Sequence, residues 1–230
     1  MIKRPQLVTG SVTKAVDVFE TFKQSRKSKL VIASTYSNKK TVDVSWLKVA
    51  APVYKVSADI EDYIVPIVPI VTSDIPNRNL QAFTFAELSR FDWLKGHMIY
   101  QSFIGKMTSA DHVNDDPVHA KGVIFDASLH YVPKYNIWKV MLLCGFDRTK
   151  DPDLVKDILS KKRTGYSMGA LVDAFKCSVC GQDQQCNCAK GSIIGGKLAY
   201  QQCIGTNYIE SSSVDSPADV TAEGVNLFEG

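Results

Sequence analysis

A serine flanked by two glycines stands out in this 230-residue chain as a candidate nucleophile. Ser167 lies in the run Thr-Gly-Tyr-Ser-Met-Gly-Ala, with Gly165 two positions before it and Gly169 two positions after it. Because glycine leaves space around the backbone, the run predicts a tight turn where a substrate and backbone N–H donors could approach the hydroxyl. The run resembles the nucleophile elbow of α/β-hydrolases, but that elbow leads from a strand into a helix, and here a helix precedes and a strand follows. The α/β-hydrolase interpretation therefore fails, and a structural turn accounts for the run taken alone.

A nucleophilic serine needs a base that takes its proton. The histidines available are His97, His112, His119 and His130. His112 stands in a polar run just before a predicted strand that begins near Gly122, and such junctions often carry catalytic side chains. The flanking carboxylates would keep its imidazole basic. His112 is therefore the candidate base, with His119 as its local competitor and an exposed loop histidine as the plain alternative.

The third member of a catalytic triad is an acid that orients the histidine, and three residues are candidates. Asp126, Asp147 and Glu210 each lie in or beside an apolar strand. An acid in that setting must be paired or solvated, because an isolated buried charge is costly, so each of the three could orient an imidazole. Spacing along the chain does not rank them.

A cluster of cysteines after the serine is the second local signal. The pattern Cys-x2-Cys followed by Cys-x-Cys comprises Cys177, Cys180, Cys186 and Cys188. Four thiolates within a dozen residues suit a tetrahedral zinc ion, and a site with four protein ligands would be closed and structural. Free or redox-active thiols are the alternative. With no export signal visible at the N-terminus, a reducing compartment is expected, where disulfides are rare.

Composition limits the function classes. The chain is 45% hydrophobic and 22% charged with a net charge of +3, which is ordinary for a globular protein and too weakly basic to indicate nucleic-acid binding. Its most apolar stretch, residues 63–71, is interrupted by Pro66 and Pro69. That stretch predicts a strand or strand pair and excludes a membrane-spanning helix.

The elements that would position these residues follow from hydrophobic periodicity and capping signals. Helices are predicted over residues 11–23, 83–91 and 151–159. Strands or extended segments are predicted over residues 30–35, 42–49, 53–72, 122–129, 137–146, 170–175, 197–204 and 208–214. The expected fold class is α+β, mainly β, with a barrel-like sheet ringed by helices in one domain over residues 1–230. Residues 176–196 form a Cys-rich insertion, and residues 217–230 are expected to be a mobile C-terminal tail.

In order along the chain, three blocks resemble the prohead maturation proteases of tailed bacteriophages, in the version with a cysteine cluster after the nucleophile. The first block, residues 100–129, contains Lys106, Asp111-His112, Asp116-Pro117 and Ala120-Lys121-Gly122-Val123. The second, residues 140–170, leads from Gly145-Phe146-Asp147-Arg148 to Tyr166-Ser167-Met168-Gly169. The third is Tyr208-Ile209-Glu210-Ser211-Ser212-Ser213-Val214, followed by Pro217-Ala218. The resemblance covers roughly residues 83–221.

The resemblance implies a fold similar to the herpesvirus assemblin proteases and a serine endopeptidase that cleaves scaffold and capsid proteins during phage head maturation. Carried over by residue, Ser167 would be the nucleophile and His112 the general base. Glu210 is preferred to Asp147 and Asp126 as the third member, because it follows the serine where the family pattern places that residue. The relatives with cysteines tend to have Cys-x-His where this chain has Cys186-Asn187-Cys188, which preserves a ligand but alters the site.

Further expectations concern partners and location. The resemblance implies action inside the prohead, within the host bacterial cytoplasm, with no catalytic cofactor, no membrane and no direct nucleic-acid binding. Self-cleavage is expected at Glu-Gly steps near residues 222–224 or 227–230, and the oligomeric state is left open. Two alternatives remain: a non-catalytic capsid-assembly protein that keeps the protease fold, and a zinc-ribbon binding module centred on the cysteines.

Overall fold

The computed structural model describes residues 6–7, 29–34, 37–183 and 186–222. The chain is mixed α/β, formed mainly of strands, and its principal sheet curls into a half-barrel. The predicted helix over residues 11–23 lies outside the described residues.

The helices and strands have the following bounds. The helices are α1 (Leu47–Tyr54), α2 (Phe85–Leu88) and α3 (Pro152–Leu159), with 3-10 helices at Ile60–Asp62, Ile99–Phe103, Pro117–His119 and Pro133–Tyr135. The first nine strands are β1 (Gln6–Leu7), β2 (Lys29–Ser34), β3 (Ser37–Asp43), β4 (Tyr63–Ile64), β5 (Ile67–Thr72), β6 (Gln81–Ala82), β7 (Phe91–Asp92), β8 (His97–Met98) and β9 (Met107–Ala110). The others are β10 (Gly122–Val132), β11 (Ile137–Cys144), β12 (Phe146–Asp147), β13 (Gly165–Val172), β14 (Ala174–Cys177), β15 (Ile193–Ile194), β16 (Lys197–Leu198), β17 (Gln201–Ile204) and β18 (Asn207–Val214).

The principal sheet has the strand order β1-β13-β18-β9-β10-β11-β5. Its neighbours pair antiparallel except β18 and β9, which run parallel. These two strands are about a hundred residues apart in the sequence, so their pairing brings the predicted histidine block beside the predicted acid strand. The serine strand, β13, lies on the other side of β18.

Both faces of this sheet are covered by apolar side chains. On β13, Tyr166, Met168 and Ala170 point into the larger core, which also contains Ile70 of β5 and Leu142 of β11. The opposite face carries a second core, in which Met107, Val123 and Phe125 pack with side chains of α1. Because side chains alternate along a strand, the residues between those of the first core belong to the second face.

The segment predicted as a strand over residues 42–49 is instead the end of β3, a turn and the beginning of α1, so that prediction was wrong beyond Asp43. The buried residues of α1 are Leu47, Ala50, Ala51 and Tyr54, the spacing of one helical face. Val49 is 44% exposed and lies on the outer side of the helix. Burial of one helical face outweighs the weak strand preference of its β-branched residues.

Two predicted helices are confirmed, and each begins after a capping residue. Thr84 precedes α2, and its hydroxyl accepts a hydrogen bond from the Glu87 N–H at 3.1 Å, although the helix is shorter than predicted. Asp151 precedes α3 and accepts a hydrogen bond from the Leu154 N–H at 3.0 Å. Both caps satisfy an N–H group that has no partner within the helix.

Two further differences bear on the site. The glycine-flanked serine does not lie on a turn before a strand, because β13 already begins at Gly165 and Ser167 is inside it. The segment expected to begin a mobile tail packs against the sheet over residues 217–222, where Ala222 is fully buried and its carbonyl accepts a hydrogen bond from the Tyr166 N–H at 2.8 Å.

Candidate active site and metal centre

Strand register places three serines and a glutamate on one face of the sheet. Ser167 of β13 lies directly opposite Ser212 of β18, and Ser212 lies opposite Ser109 of β9. Glu210 lies two residues before Ser212, opposite Gly169. Because directly paired residues and every second residue project to the same side, these side chains share the face that is turned away from the larger core.

His112 reaches the same face from the turn that follows β9. Its Nδ1 lies 2.9 Å from Oε1 of Glu210. Asp111 and His112 both have a left-handed backbone, with φ of 52° and 58°. Residues other than glycine adopt this conformation at some cost. Arg163 holds this turn, because its guanidinium donates to the Asp111 carboxylate and to the Ser213 carbonyl oxygen.

The charge of His112 depends on its surroundings. Burial disfavours the imidazolium, but the hydrogen bond and charge of Glu210, together with the charge of Asp111, outweigh that effect and raise the pKa of His112 above 6.5. Glu210 is fully buried, whereas the His112 side chain is 26% exposed. With Nδ1 bonded to the acid, Nε2 is the nitrogen left to act as a base, as in a serine–histidine–acid triad.

Gly169 has a steric role rather than the turn-forming role expected from the sequence. A Cβ atom at this position would lie 2.9 Å from Oε1 of Glu210 and 3.1 Å from its Cγ. Any larger residue would therefore displace the carboxylate that holds His112. The glycine two residues after the serine makes room for the acid on the neighbouring strand.

Ser167 is the most accessible of the three serines on this face. It is 6% exposed, whereas Ser109 and Ser212 are fully buried. The hydroxyls of Ser109 and Ser212 are hydrogen-bonded to each other, while within the described part of the chain no hydrogen bond joins Ser167 to His112. Catalytic hydrogen bonds are often long or unformed without substrate. Ser167 therefore stays a candidate because it shares a face of the sheet with Glu210.

The competing acids lie elsewhere. Asp147 is buried and accepts hydrogen bonds from the backbone N–H groups of Ser57 at 2.6 Å and Thr149 at 2.8 Å, so its carboxylate holds two loops in place. Asp126 lies in β10 opposite Leu143 of β11. Of the three acids proposed from the sequence, the structure brings Glu210 to His112.

The other histidines have local partners. The His119 imidazole lies 2.8 Å from the Asp115 carboxylate on the surface. Nδ1 of His97 lies 3.0 Å from the carbonyl oxygen of Met98, and Nε2 of His130 lies 3.0 Å from the Ser128 hydroxyl. Each of these contacts is within four residues along the chain, so none of them joins distant elements as the contact of His112 does.

Sequence reasoning missed Ser109 and Ser212. The only signal in the sequence was their position, three residues before His112 and two residues after Glu210. Buried serines in a strand are common, and alternation alone does not say which of Ser211, Ser212 and Ser213 faces the histidine. The register between β9 and β18 decides it.

The four clustered cysteines also converge. The sulfurs of Cys177, Cys180, Cys186 and Cys188 all lie within 4.8 Å of one another. Four sulfurs that each sit about 2.3 Å from a tetrahedral zinc ion would be about 3.8 Å apart, so this set could hold a metal ion after small adjustments. Val179 N–H donates to the Cys177 sulfur at 3.4 Å, and donation from the backbone N–H groups of Cys180 and Val179 lowers the pKa of Cys177 to about 6.

Comparison with known proteins adds no assignment, because no family model, no curated protein and no solved structure matches the chain. Among the described residues, no helix combines the length and apolar character needed to cross a membrane.

Proposed function

We propose that this protein is a serine endopeptidase in which Ser167 is the nucleophile, His112 the general base and Glu210 the acid that orients the histidine. The observation that carries the proposal is the 2.9 Å contact between His112 Nδ1 and Glu210 Oε1, on the sheet face that Ser167 shares. A fully buried acid bonded to an imidazole that is 26% exposed, on the sheet face that also carries Ser167, is the arrangement that a serine–histidine–acid triad uses for acyl transfer.

The chemistry follows from these positions. His112 takes the Ser167 proton through Nε2 as the serine oxygen attacks a peptide carbonyl, and the resulting imidazolium is stabilised by Glu210. The same proton then passes to the leaving amine. A water molecule next gives its proton to His112 and attacks the acyl group, which is released as Ser167 takes the proton back. Backbone N–H groups near the serine would stabilise the oxyanion.

The biological substrate is proposed from the resemblance of the three sequence blocks. We assign the activity to the cleavage of phage scaffold and capsid proteins inside the prohead, with the chain's own C-terminal Glu-Gly steps as further substrates. A non-catalytic capsid-assembly protein with the same fold is the main alternative, and it predicts that removing the Ser167 hydroxyl changes no cleavage.

The cysteine cluster is proposed to bind zinc in a structural role. Cys177, Cys180, Cys186 and Cys188 supply four soft ligands, which is the set typical of closed zinc sites. The bound ion would crosslink the segment that carries them, which is a structural role and supplies no group to the proposed chemistry. A zinc-binding module for nucleic acid is disfavoured by the net charge of only +3.

The decisive experiment incubates the protein with its cognate scaffold protein and follows cleavage by gel and mass spectrometry. We expect Ser167→Ala and His112→Ala to abolish cleavage while the protein stays folded. His119→Ala is the matched control, because it removes an imidazole that is also paired with a carboxylate but lies on the surface. Persistent cleavage by Ser167→Ala, after removal of host proteases, would refute the assignment.

A further inference from the structure

The buried serines beside the proposed triad form a ring of hydrogen bonds that begins and ends at His112. The backbone N–H of His112 donates to the Ser212 hydroxyl at 2.9 Å, and that hydroxyl contacts the hydroxyl of Ser109. Ser109 in turn donates to Oε2 of Glu210 at 2.7 Å. The other carboxylate oxygen of Glu210 bonds to the His112 imidazole, which closes the ring.

The direction of each hydrogen bond in the ring follows from counting protons. An ionised carboxylate only accepts, so the single hydroxyl proton of Ser109 is committed to Glu210. Ser212 must therefore donate to Ser109, and it has its lone pairs free for the N–H of His112. Each of the two hydroxyls makes one donation and accepts one hydrogen bond, so the ring has one consistent arrangement.

This arrangement excludes Ser109 and Ser212 as nucleophiles. Both are fully buried, and both hydroxyl protons are already committed, that of Ser109 to the Glu210 carboxylate and that of Ser212 to the Ser109 oxygen. Their effect on the reaction must therefore pass through Glu210 and His112.

We infer that Ser109 and Ser212 are positioning residues that hold the two ends of the His112–Glu210 pair, an inference that rests on the proposed function for its effect on catalysis. Ser109 fixes the carboxylate by its second oxygen, so that the first oxygen faces the imidazole. Ser212 anchors the backbone of His112, which has a φ of 58°. A left-handed residue persists only where its surroundings hold it, and the hydrogen bond from its N–H to β18 supplies such a restraint.

The two substitutions have different expected effects. Ser109→Ala removes a donor from the Glu210 carboxylate, whose negative charge then stabilises the imidazolium more strongly. We expect the pKa of His112 to rise further and the acid limb of the pH–rate profile to move to higher pH. Ser212→Ala removes the acceptor of the His112 N–H but leaves Ser109 bonded to the acid, so we expect a lower kcat with a smaller change in that pKa.

Ser213→Ala is the matched control. Ser213 is a neighbour of Ser212 on β18 and is equally buried, but it points to the other face, and its hydroxyl has no hydrogen-bond partner in the described part of the chain. The same chemical change there leaves the ring intact. We expect it to leave both kcat and the titration of His112 unchanged.

The experiment combines kinetics with NMR titration of protein labelled with 15N-histidine, in which the His112 signal is assigned by its loss in His112→Gln. We expect Ser109→Ala and Ser212→Ala each to lower kcat about 10- to 100-fold, by analogy with the loss seen when a hydrogen-bonding partner that orients a metal-bound histidine is removed. KM should change little. If Ser109→Ala does not fold, Ser109→Cys keeps most of the side-chain volume and has a weaker donor. It should raise the pKa of His112 and lower kcat in the same directions, but by less.

The titration separates this inference from the proposed function. If wild type cleaves nothing, the peptidase proposal fails, yet a shift of the His112 titration in Ser109→Ala with none in Ser213→Ala still supports the positioning role. If Ser109→Ala and Ser212→Ala match Ser213→Ala in both the titration and kcat, the inference is overturned.

Discussion

His112 lies between influences that act on its charge in opposite directions. Its pKa is raised because the hydrogen bond and charge of Glu210 exceed the cost of burial. A general base works only when it is neutral, so we expect kcat/KM to rise with pH through a value above 6.5. A pH–rate profile measured on a peptide substrate checks this, and an acid limb well below that value would contradict the assignment.

The effect of Glu210 on the imidazole is tested by Glu210→Gln. This change keeps the shape of the side chain but removes its charge and presents an amide that can stabilise the wrong tautomer. We expect kcat to fall about 10⁴-fold, as when the acid of a serine–histidine–acid triad is replaced by its amide, and the acid limb to move to lower pH. Asp115→Asn, which alters the partner of His119 on the surface, serves as the control and should leave both unchanged.

The contact between His112 and Glu210 should make the stability of the fold fall as pH rises. Because the folded-state pKa of His112 is raised, its contribution to folding is fully present below the unfolded pKa and is lost as pH rises through the folded value. The pH of greatest activity should therefore lie above the range in which this pair contributes to stability. Unfolding curves of wild type and His112→Gln measured across that range should converge as pH increases.

The four clustered cysteines extend from the end of β14 into the segment that follows it. We expect one zinc ion per chain in protein purified without chelators, and we expect Cys180→Ser to lower that content and to make this segment sensitive to proteolysis. Because the ligands must lose protons, zinc should also be released at acid pH. Metal analysis by mass spectrometry gives the measurement.

Cys203→Ala is the control for the zinc prediction. Cys203 is buried in β17, outside the four-cysteine cluster, so its loss should leave the zinc content unchanged. A chain that contains no zinc and keeps the same protease resistance in Cys180→Ser would favour the alternative of free thiols.

At the scale of the whole molecule, the segment of residues 217–222 connects β5 to β13. Asp219 accepts hydrogen bonds from the N–H of Thr72 at 2.9 Å and from its hydroxyl at 2.7 Å, and it forms an ion pair with the largely buried Lys139 at 3.1 Å. The Tyr166 N–H donates to Ala222 at the other end of the segment. Two strands that lie near opposite ends of the sheet order are thus joined by one short stretch of chain.

This connection predicts that Asp219→Asn destabilises the fold. The change leaves the Lys139 ammonium without its counter-charge, and we expect the free energy of unfolding to fall by about 2–4 kcal/mol, somewhat less than for a fully buried pair. Asp215→Asn is the control, because Asp215 is 90% exposed in its side chain and should change stability by about 0.5 kcal/mol or less. Denaturant unfolding of the two variants decides the matter.

Much of the local structure could be predicted from the sequence because it depends on neighbours in the chain. The caps of α2 and α3 depend on residues three positions apart, and the strand over residues 208–214 was predicted without any knowledge of its partner. α1 escaped prediction because its valines favour a strand locally, whereas burial of Leu47, Ala50 and Tyr54 in a distant core decides for a helix.

The sequence by itself determined which side chains could take part in chemistry: a glycine-flanked serine, four histidines, a few acids within apolar strands and a cysteine cluster. Only the tertiary structure decided among the acids, because the choice depends on the parallel pairing of β9 with β18, strands that are about a hundred residues apart. The same pairing turns Ser109 and Ser212 toward Glu210, while Gly169 clears the space that its carboxylate occupies. Residue types are written along the chain, but register between distant strands is a property of the folded sheet, since it depends on which faces are buried.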